Sequence, residues 1–261
     1  MTASQPTELQ SRCDQLRSLH RPGAPLLLPN VWDVATARAV VAAGFPVVAT
    51  TSGGVAAALG YEDHEGAPAD EMLAAAARIA RGVEVPVTVD AEAGYGMDPA
   101  ELVAALRAAG AAGCNLEDTD HAVGRIRDLD RHADWLRAVR QAASEDGYRL
   151  VINARIDVFL GPFFAGAGPG AQQELLPEAV RRAKAYLNAG ADCVYPIALQ
   201  EPDALRRFTS EVHGPVNVIR LPQTPSLAEL AALGVARVSW ASLLHRHAMA
   251  QFEDQLAALR E

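Results

Sequence analysis

Lysine is almost missing from this chain. Of its 23 basic residues only Lys184 is a lysine, and it lies in the amphipathic stretch LPEAVRRAKAYLNAG, where exposure is expected. Schiff-base catalysis needs a lysine inside the site, so that route to a keto acid's carbon–carbon bond is excluded. Cysteine is scarce as well. Cys13, Cys114 and Cys193 show no CxxC spacing, and the last two fall in strand-like runs, which fits a reduced, cytoplasmic protein. No uninterrupted apolar window approaches the roughly 18 residues of a spanning helix, and the opening MTASQPTELQ has no basic segment leading into an apolar one. No dense Lys/Arg run offsets the net charge of −9, so neither nucleic acid nor an anionic membrane is expected as a partner. Aromatics make up 5% of a chain that is 50% hydrophobic. The core must then be built from Ala, Val and Leu, which suits helices packed on a sheet.

What is present is a repeated pattern. Short apolar runs fall at 25–31, 46–52, 85–92, 113–118, 149–157, 193–198, 216–222 and 237–240. Most are continuous rather than alternating, as parallel strands covered on both faces require. Ala-rich helical stretches separate them, at 33–43, 70–82, 98–109, 130–144, 177–189, 202–212, 226–233 and 241–259. Gly44, Gly110, Gly190 and Gly234 each close a helix just before a strand, the place for a left-handed residue. Eight strands alternating with eight helices predict an α/β fold, a single (β/α)₈ TIM-type barrel over residues 1–261, with an additional N-terminal helix at 5–19. A doubly wound open sheet is the alternative, but no GxGxxG follows the first strand. The Gly/Pro-rich stretch GPFFAGAGPG, 161–170, reads either as a surface excursion or as a wall of the site.

In such a barrel, polar residues at the C-terminal strand ends build the site. Asp90, Glu92 and Glu117 converge there from two adjacent strands, with Arg155 beside them. Acids held that close repel unless protons or a cation intervene. They are hard oxygen ligands with no His or Cys among them, which suits Mg²⁺, or Mn²⁺; the alternative is a structural network with arginines. Ser52-Gly53-Gly54 offers a hydroxyl and open backbone N–H groups as a carboxylate cradle. Arg155 supplies a bidentate fork for a second anionic group, or pairs with Asp157 or Glu117. Together these describe a site for a small dianionic 2-oxo or 2-hydroxy acid. Trp32 is expected as an apolar pocket wall, and Asp33 as a helix N-cap. His121 is a candidate proton donor or an exposed loop residue. Arg125 and Arg127 either close over an anionic substrate or pair with Asp128 and Asp130. His245 and His247, two apart on a helix, cannot share a face as a metal pair.

The segments PNVWDVATARAVVAAGFPVVATTSGGVAAALGYED, VPVTVDAEAGYG, AAGAAGCNLED and INARIDVFL, in order over residues 29–160, resemble the isocitrate lyase and phosphoenolpyruvate mutase superfamily. The resemblance implies that Asp90 binds the metal directly. It further implies that Glu92 and Glu117 hold metal-bound waters, that Asp63 completes the acidic shell, and that Ser52, Gly53, Gly54 and Arg155 bind the substrate. Glu92 stands where Asp is more usual. The loop EDTDHAVGRIRDLDRHADW has neither the lyases' catalytic Cys nor the Lys and Asn of the mutases and phosphonopyruvate hydrolases, and Cys114 lies inside the strand. The resemblance therefore implies a Mg²⁺-dependent carbon–carbon lyase or decarboxylase working through a metal-stabilised enolate. Phosphorus–carbon chemistry and a non-catalytic barrel with a metal site are the alternatives. Members associate through their last helices, so a homodimer or homotetramer is expected.

Overall fold

The computed structural model of the chain describes residues 7–260. It opens with α1 (Glu8–Ser18), then β1 (Leu26–Leu28), β2 (Asn30–Val31), α2 (Val34–Ala42), β3 (Val48–Thr50), α3 (Ser52–Leu59), α4 (Ala69–Arg81), β4 (Val87–Asp90), α5 (Pro99–Ala108) and β5 (Gly113–Glu117). A hairpin of β6 (Thr119–Asp120) and β7 (Arg125–Ile126) follows. The chain continues with α6 (Leu129–Glu145), β8 (Val151–Ile156), α7 (Leu160–Phe164), α8 (Pro169–Asn188), β9 (Cys193–Pro196) and α9 (Pro202–Val212). It closes with β10 (Asn217–Ile219), α10 (Leu227–Ala232), β11 (Arg237–Ser239) and α11 (Leu243–Ala258).

The parallel strands form two arcs, one in the order β2-β3-β4-β5-β8-β9 and one in the order β10-β11-β1. A bridge between Val194 and Val216 joins β9 to β10. Pro29 separates β1 from β2, because it has no N–H to give a ladder. β1 and β2 are one interrupted strand, and the two arcs close an eight-stranded barrel. The Asn30 side chain spans the interruption: its amide donates to the Thr50 carbonyl at 2.8 Å and its oxygen accepts the Trp240 N–H at 2.8 Å.

Strand order follows chain order around the ring, which removes the open-sheet alternative. The four helix-closing glycines take φ values of 89°, 75°, 105° and 80° in chain order. Asp33 caps α2, accepting the Thr36 N–H at 2.7 Å. α1 is the expected extra helix; residues 5 and 6 of that expectation lie outside the described residues. Its Cys13 and Leu16 are buried, and Leu16 lies over Gly113, whose lack of a side chain lets the leucine approach the barrel. Arg17 ties α1 down through Asp192 at 2.8 Å.

Three elements depart from the sequence reading. α3 falls between the strand predicted at 46–52 and the helix predicted at 70–82, where no helix is predicted. α8 begins at Pro169 instead of 177, carries Pro177 inside, and with α7 turns most of the Gly/Pro-rich stretch into helix. The loop after β5 contains the β6–β7 hairpin, paired Thr119↔Ile126 and Asp120↔Arg125.

Candidate active site

At the C-terminal ends of the strands a cavity of about 550 Å³ is lined by Ser52, Gly53, Asp63, Asp90 and Arg155. Leu160, Phe163 and Phe164 wall one side, and Ser242, His245 and Arg246 another. Within 161–170 both readings hold in part: Phe163 and Phe164 line this cavity, and 164–168 are exposed.

Asp90 ends β4. Its carboxylate accepts the Ser52 N–H at 3.0 Å and the Asn115 amide at 3.2 Å. The first contact sets an anion at the start of α3, where the helix dipole favours it. The second is part of a buried polar layer within the barrel. The Asn115 oxygen accepts from Asn153 at 2.9 Å and from Arg237 at 3.0 Å, which turns the Asn115 amide towards Asp90.

Around Asp90 the acids outnumber their cations. Glu92 is buried, and the one hydrogen bond to its carboxylate among the described residues is from the Glu65 N–H. Burial pushes its carboxyl up to about 8, and Asp90, Asp63 and Glu117 push the same way. Glu117 is raised to about 7, chiefly by burial, although it is paired with Arg155 at 2.5 Å and with His121. The Glu117 contact raises His121 above its ordinary value. Asp118 points the other way, accepting from Tyr186 at 2.8 Å, Arg182 at 3.1 Å and the Asp157 N–H at 2.9 Å. Asp157 is buried, which alone would raise it, but Arg155 overrides that and holds it below the usual range.

Arg155 thus does what its alternative reading allowed: it binds Asp157 at 2.7 and 2.9 Å and Glu117 at 2.5 Å. It also lines the cavity. A guanidinium has five N–H donors, so those three contacts leave two for an anion.

The two loops that carry Asp63 and Glu92 are interlocked. The Glu65 N–H donates to Glu92, and the Glu65 carboxylate accepts the Tyr95 N–H at 2.6 Å. His64, Glu65, Glu92 and Tyr95 all have φ between 48° and 66°. Left-handed residues other than glycine cost about 1 kcal/mol or more each and collect at functional sites.

The donor set fits a hard divalent cation held mainly through water. Among the described residues no three His, Cys, Asp or Glu side chains form an all-protein cage. Mg²⁺ rarely uses one, keeping several waters and one or two carboxylates. Gly53 makes the room: a Cβ there would lie 2.6 Å from an Asp63 carboxylate oxygen and 2.7 Å from the Ser242 hydroxyl.

Several expected residues stand elsewhere. Trp32 does not line this cavity. It packs beside Val55 and Met72, and its ring meets His245 edge-on at 4.9 Å. Gly54 lies behind the wall, close-packed on Thr51 and Trp32. Glu92, Glu117 and His121 adjoin the cavity without lining it, and His121 is fixed on Glu117 and leans on His64 at 5.3 Å. Arg125 and Arg127 face a different cavity, and neither pairs with Asp128 or Asp130 among the described residues. Lys184 is exposed on α8. Cys114 is buried in β5, its thiol pushed up to about 12, far from a usable acid. Sequence reasoning missed His245, Arg246 and Ser242, which come from the turn after β11 and the start of α11.

Residues 16–260 match the phosphoenolpyruvate phosphomutase family model. A probable 2-methylisocitrate lyase 2 of Corynebacterium glutamicum is 32% identical over 240 residues, covering 88% of this chain and 74% of that protein. Among solved structures, a Burkholderia cenocepacia protein described provisionally as a phosphonomutase is 42% identical, with a TM-score of 0.88 over 95% of this chain and 99% of that one. The 2,3-dimethylmalate lyase of the same superfamily is 25% identical, with a TM-score of 0.82 over 95% and 87% of the two chains.

Proposed function

The chain belongs to the phosphoenolpyruvate phosphomutase family, an enzyme superfamily of lyases and phosphomutases. On that footing we propose that it is a Mg²⁺-dependent carbon–carbon lyase or decarboxylase for a small 2-oxo or 2-hydroxy dicarboxylate. The observation that carries the reading is the cavity itself, which gathers Ser52, Gly53, Asp63, Asp90 and Arg155 beside buried acids short of positive charge. Asp90 would hold the cation directly, with Asp63, Glu92 and Glu117 acting through water; when bound, it supplies positive charge against the oxygen of an enolate.

The chain's own side chains do the rest. The Ser52 hydroxyl and the Gly53 N–H, at the start of α3, receive one substrate carboxylate. The two remaining Arg155 donors take the other, and Glu117 and Asp157 fix the guanidinium from behind. Phe163, Phe164 and Leu160 exclude water from the bond that breaks. Decarboxylation asks only that negative charge be stabilised and a proton returned later, so it tolerates the lack of a loop thiol. Three histidines border the site: His64 and His245 on the cavity wall, and His121 on Glu117. The 2,3-dimethylmalate and methylisocitrate lyases among the similar proteins support carbon–carbon cleavage.

Phosphorus–carbon chemistry is the second reading. It is favoured by the phosphonomutase likeness and by Arg246, a second arginine on the wall. A panel of 2-oxo and 2-hydroxy diacids and phosphonopyruvate, incubated with Mg²⁺, separates the two. Release of pyruvate, glyoxylate or CO₂ is expected, and release of phosphate or formation of phosphoenolpyruvate instead would replace the first reading by the second. Asp90→Ala is expected to lower turnover by at least about 10²-fold with folding intact. A wild type that does not bind Mg²⁺ at millimolar concentration would sink both readings and leave a non-catalytic barrel.

A further inference from the structure

A second cavity, of about 430 Å³, lies on the far side of the β6–β7 hairpin, between the loop after β4 and the start of α6. Three arginines line it: Arg125 from β7, Arg127 just after it and Arg131 from α6. None has a carboxylate within ion-pair distance among the described residues. In a chain with a net charge of −9 that is an unusual place to leave cations. Two acids share the wall, but each is occupied locally. Asp128 caps α6 by accepting the N–H groups of Asp130 and Arg131 at 3.1 Å, and Asp120 accepts the Ala122 N–H at 3.1 Å.

A second, independent observation concerns His132. It lines the same cavity, is only 1% exposed, and has no hydrogen-bond partner for either ring nitrogen. Its ring stacks on Trp135 at 5.5 Å and meets Tyr186 edge-on at 5.1 Å, so it cannot swing out to water without breaking both contacts. A buried imidazole with both nitrogens idle costs free energy. The remaining wall is apolar, with Met97, Trp135 and the hairpin residues Val123 and Ile126, which are 63% and 38% exposed.

We propose that this cavity is a binding site for a small organic anion, a carboxylate or phosphate monoester with a compact apolar body, separate from the candidate active site. The anionic head is met by Arg125 and Arg131 at the mouth, where a guanidinium fork recognises planar or tetrahedral oxyanions. The body lies against Met97, Trp135 and the hairpin, with the buried His132 ring behind them. Binding here orders the hairpin. Its second strand is already pinned at one end, where the Arg127 N–H donates to the Asp118 carbonyl at 2.7 Å, and its first strand leads directly from Glu117 and Asp118. The inference does not rest on the proposed reaction.

Isothermal titration of the full-length protein with phenyl phosphate and with benzoate tests it. One saturable site is expected for at least one probe. Arg125→Ala combined with Arg131→Ala is expected to weaken it by roughly tenfold or more, whereas Asp90→Ala leaves it within about twofold. Both arginines are exposed, so the double variant is expected to fold, and circular dichroism checks this. A measurement free of any variant is hydrogen–deuterium exchange, in which the bound probe is expected to slow residues 119–128. The proposal is overturned by any of three results: no saturable heat with either probe at about 10 mM, unchanged affinity in the double arginine variant, or loss of binding in Asp90→Ala, which places the probe in the other cavity.

Discussion

Gly53 is where one added methyl group would reach directly into the candidate site. A Cβ there meets the ends of two side chains, the Asp63 carboxylate and the Ser242 hydroxyl, and no backbone. Those ends can yield, so Gly53→Ala is expected to keep the melting temperature within a few degrees. Asp63 must leave its place, however, and turnover is expected to fall by roughly tenfold or more; a steady-state assay beside a thermal melt checks both halves. Two other residues set the acid limit. Burial lowers His132 from 6.5 to about 3 and His20 from 6.5 to about 4. In each case the unfolded chain takes the proton first, so the stabilisation is complete above about pH 6.5 and is lost as pH falls towards the folded value. The slope is at most on the order of 1 kcal/mol per pH unit for each histidine. Urea midpoints measured between about pH 7 and pH 4 are expected to fall steadily for the wild type and less steeply for His132→Phe. At this scale the sequence was partly readable. Asp90, Arg155, Ser52 and Gly53 meet because residue type and strand end fix their direction. His245 and Arg246 were not readable, since their approach depends on how the last helix leaves β11. The Glu65–Glu92–Tyr95 interlock depends on left-handed backbone at residues other than glycine, which no spacing rule marks.

α1 shows what an element outside the repeat contributes. It brings Leu16, fully buried, against the bare backbone of Gly113 in β5, and fastens itself through Arg17 to Asp192. Leu16→Ala is expected to cost about 3 kcal/mol, from lost transfer and from the cavity left between helix and barrel, read as a lower urea midpoint at unchanged slope. The helices and strands of the repeat were legible because continuous apolar runs, 3.6-residue periodicity and closing glycines agreed with one another. α3 was not, because Ser-Gly-Gly is a poor helix start by propensity. It is held there by tertiary contact, with Val55 and Ala56 buried against Met72. The start of α8 was hidden by Gly168, Pro169 and Gly170, which read as loop although proline is well suited to the first turn of a helix. The β6–β7 hairpin has two-residue strands and a polar sequence, too short for any periodic signal.

On the scale of the whole molecule, α11 buries none of its residues. Met249, Phe252, Leu256 and Leu259 are 42%, 53%, 45% and 82% exposed, at the three- and four-residue spacing of one helix face. The homodimer or homotetramer proposed from the sequence would cover that stripe. Light scattering coupled to gel filtration is expected to give a multiple of 27.6 kDa, and Phe252→Asp is expected to shift it towards the monomer. A monomeric wild type would leave the stripe unexplained.

The interruption at Pro29 bears on how the cavity is put together. Asp90, Glu117 and Arg155 ride on the six-stranded arc, whereas Ser242, His245 and Arg246 follow the three-stranded one. Between the arcs run Pro29, the Asn30 side chain and the Val194–Val216 bridge, with the Arg237–Asn115 and Thr51–Ser242 hydrogen bonds crossing from one to the other. The cavity is therefore assembled across the place where the ladder lapses, and Asn30 is the side chain that reaches both sides of the gap.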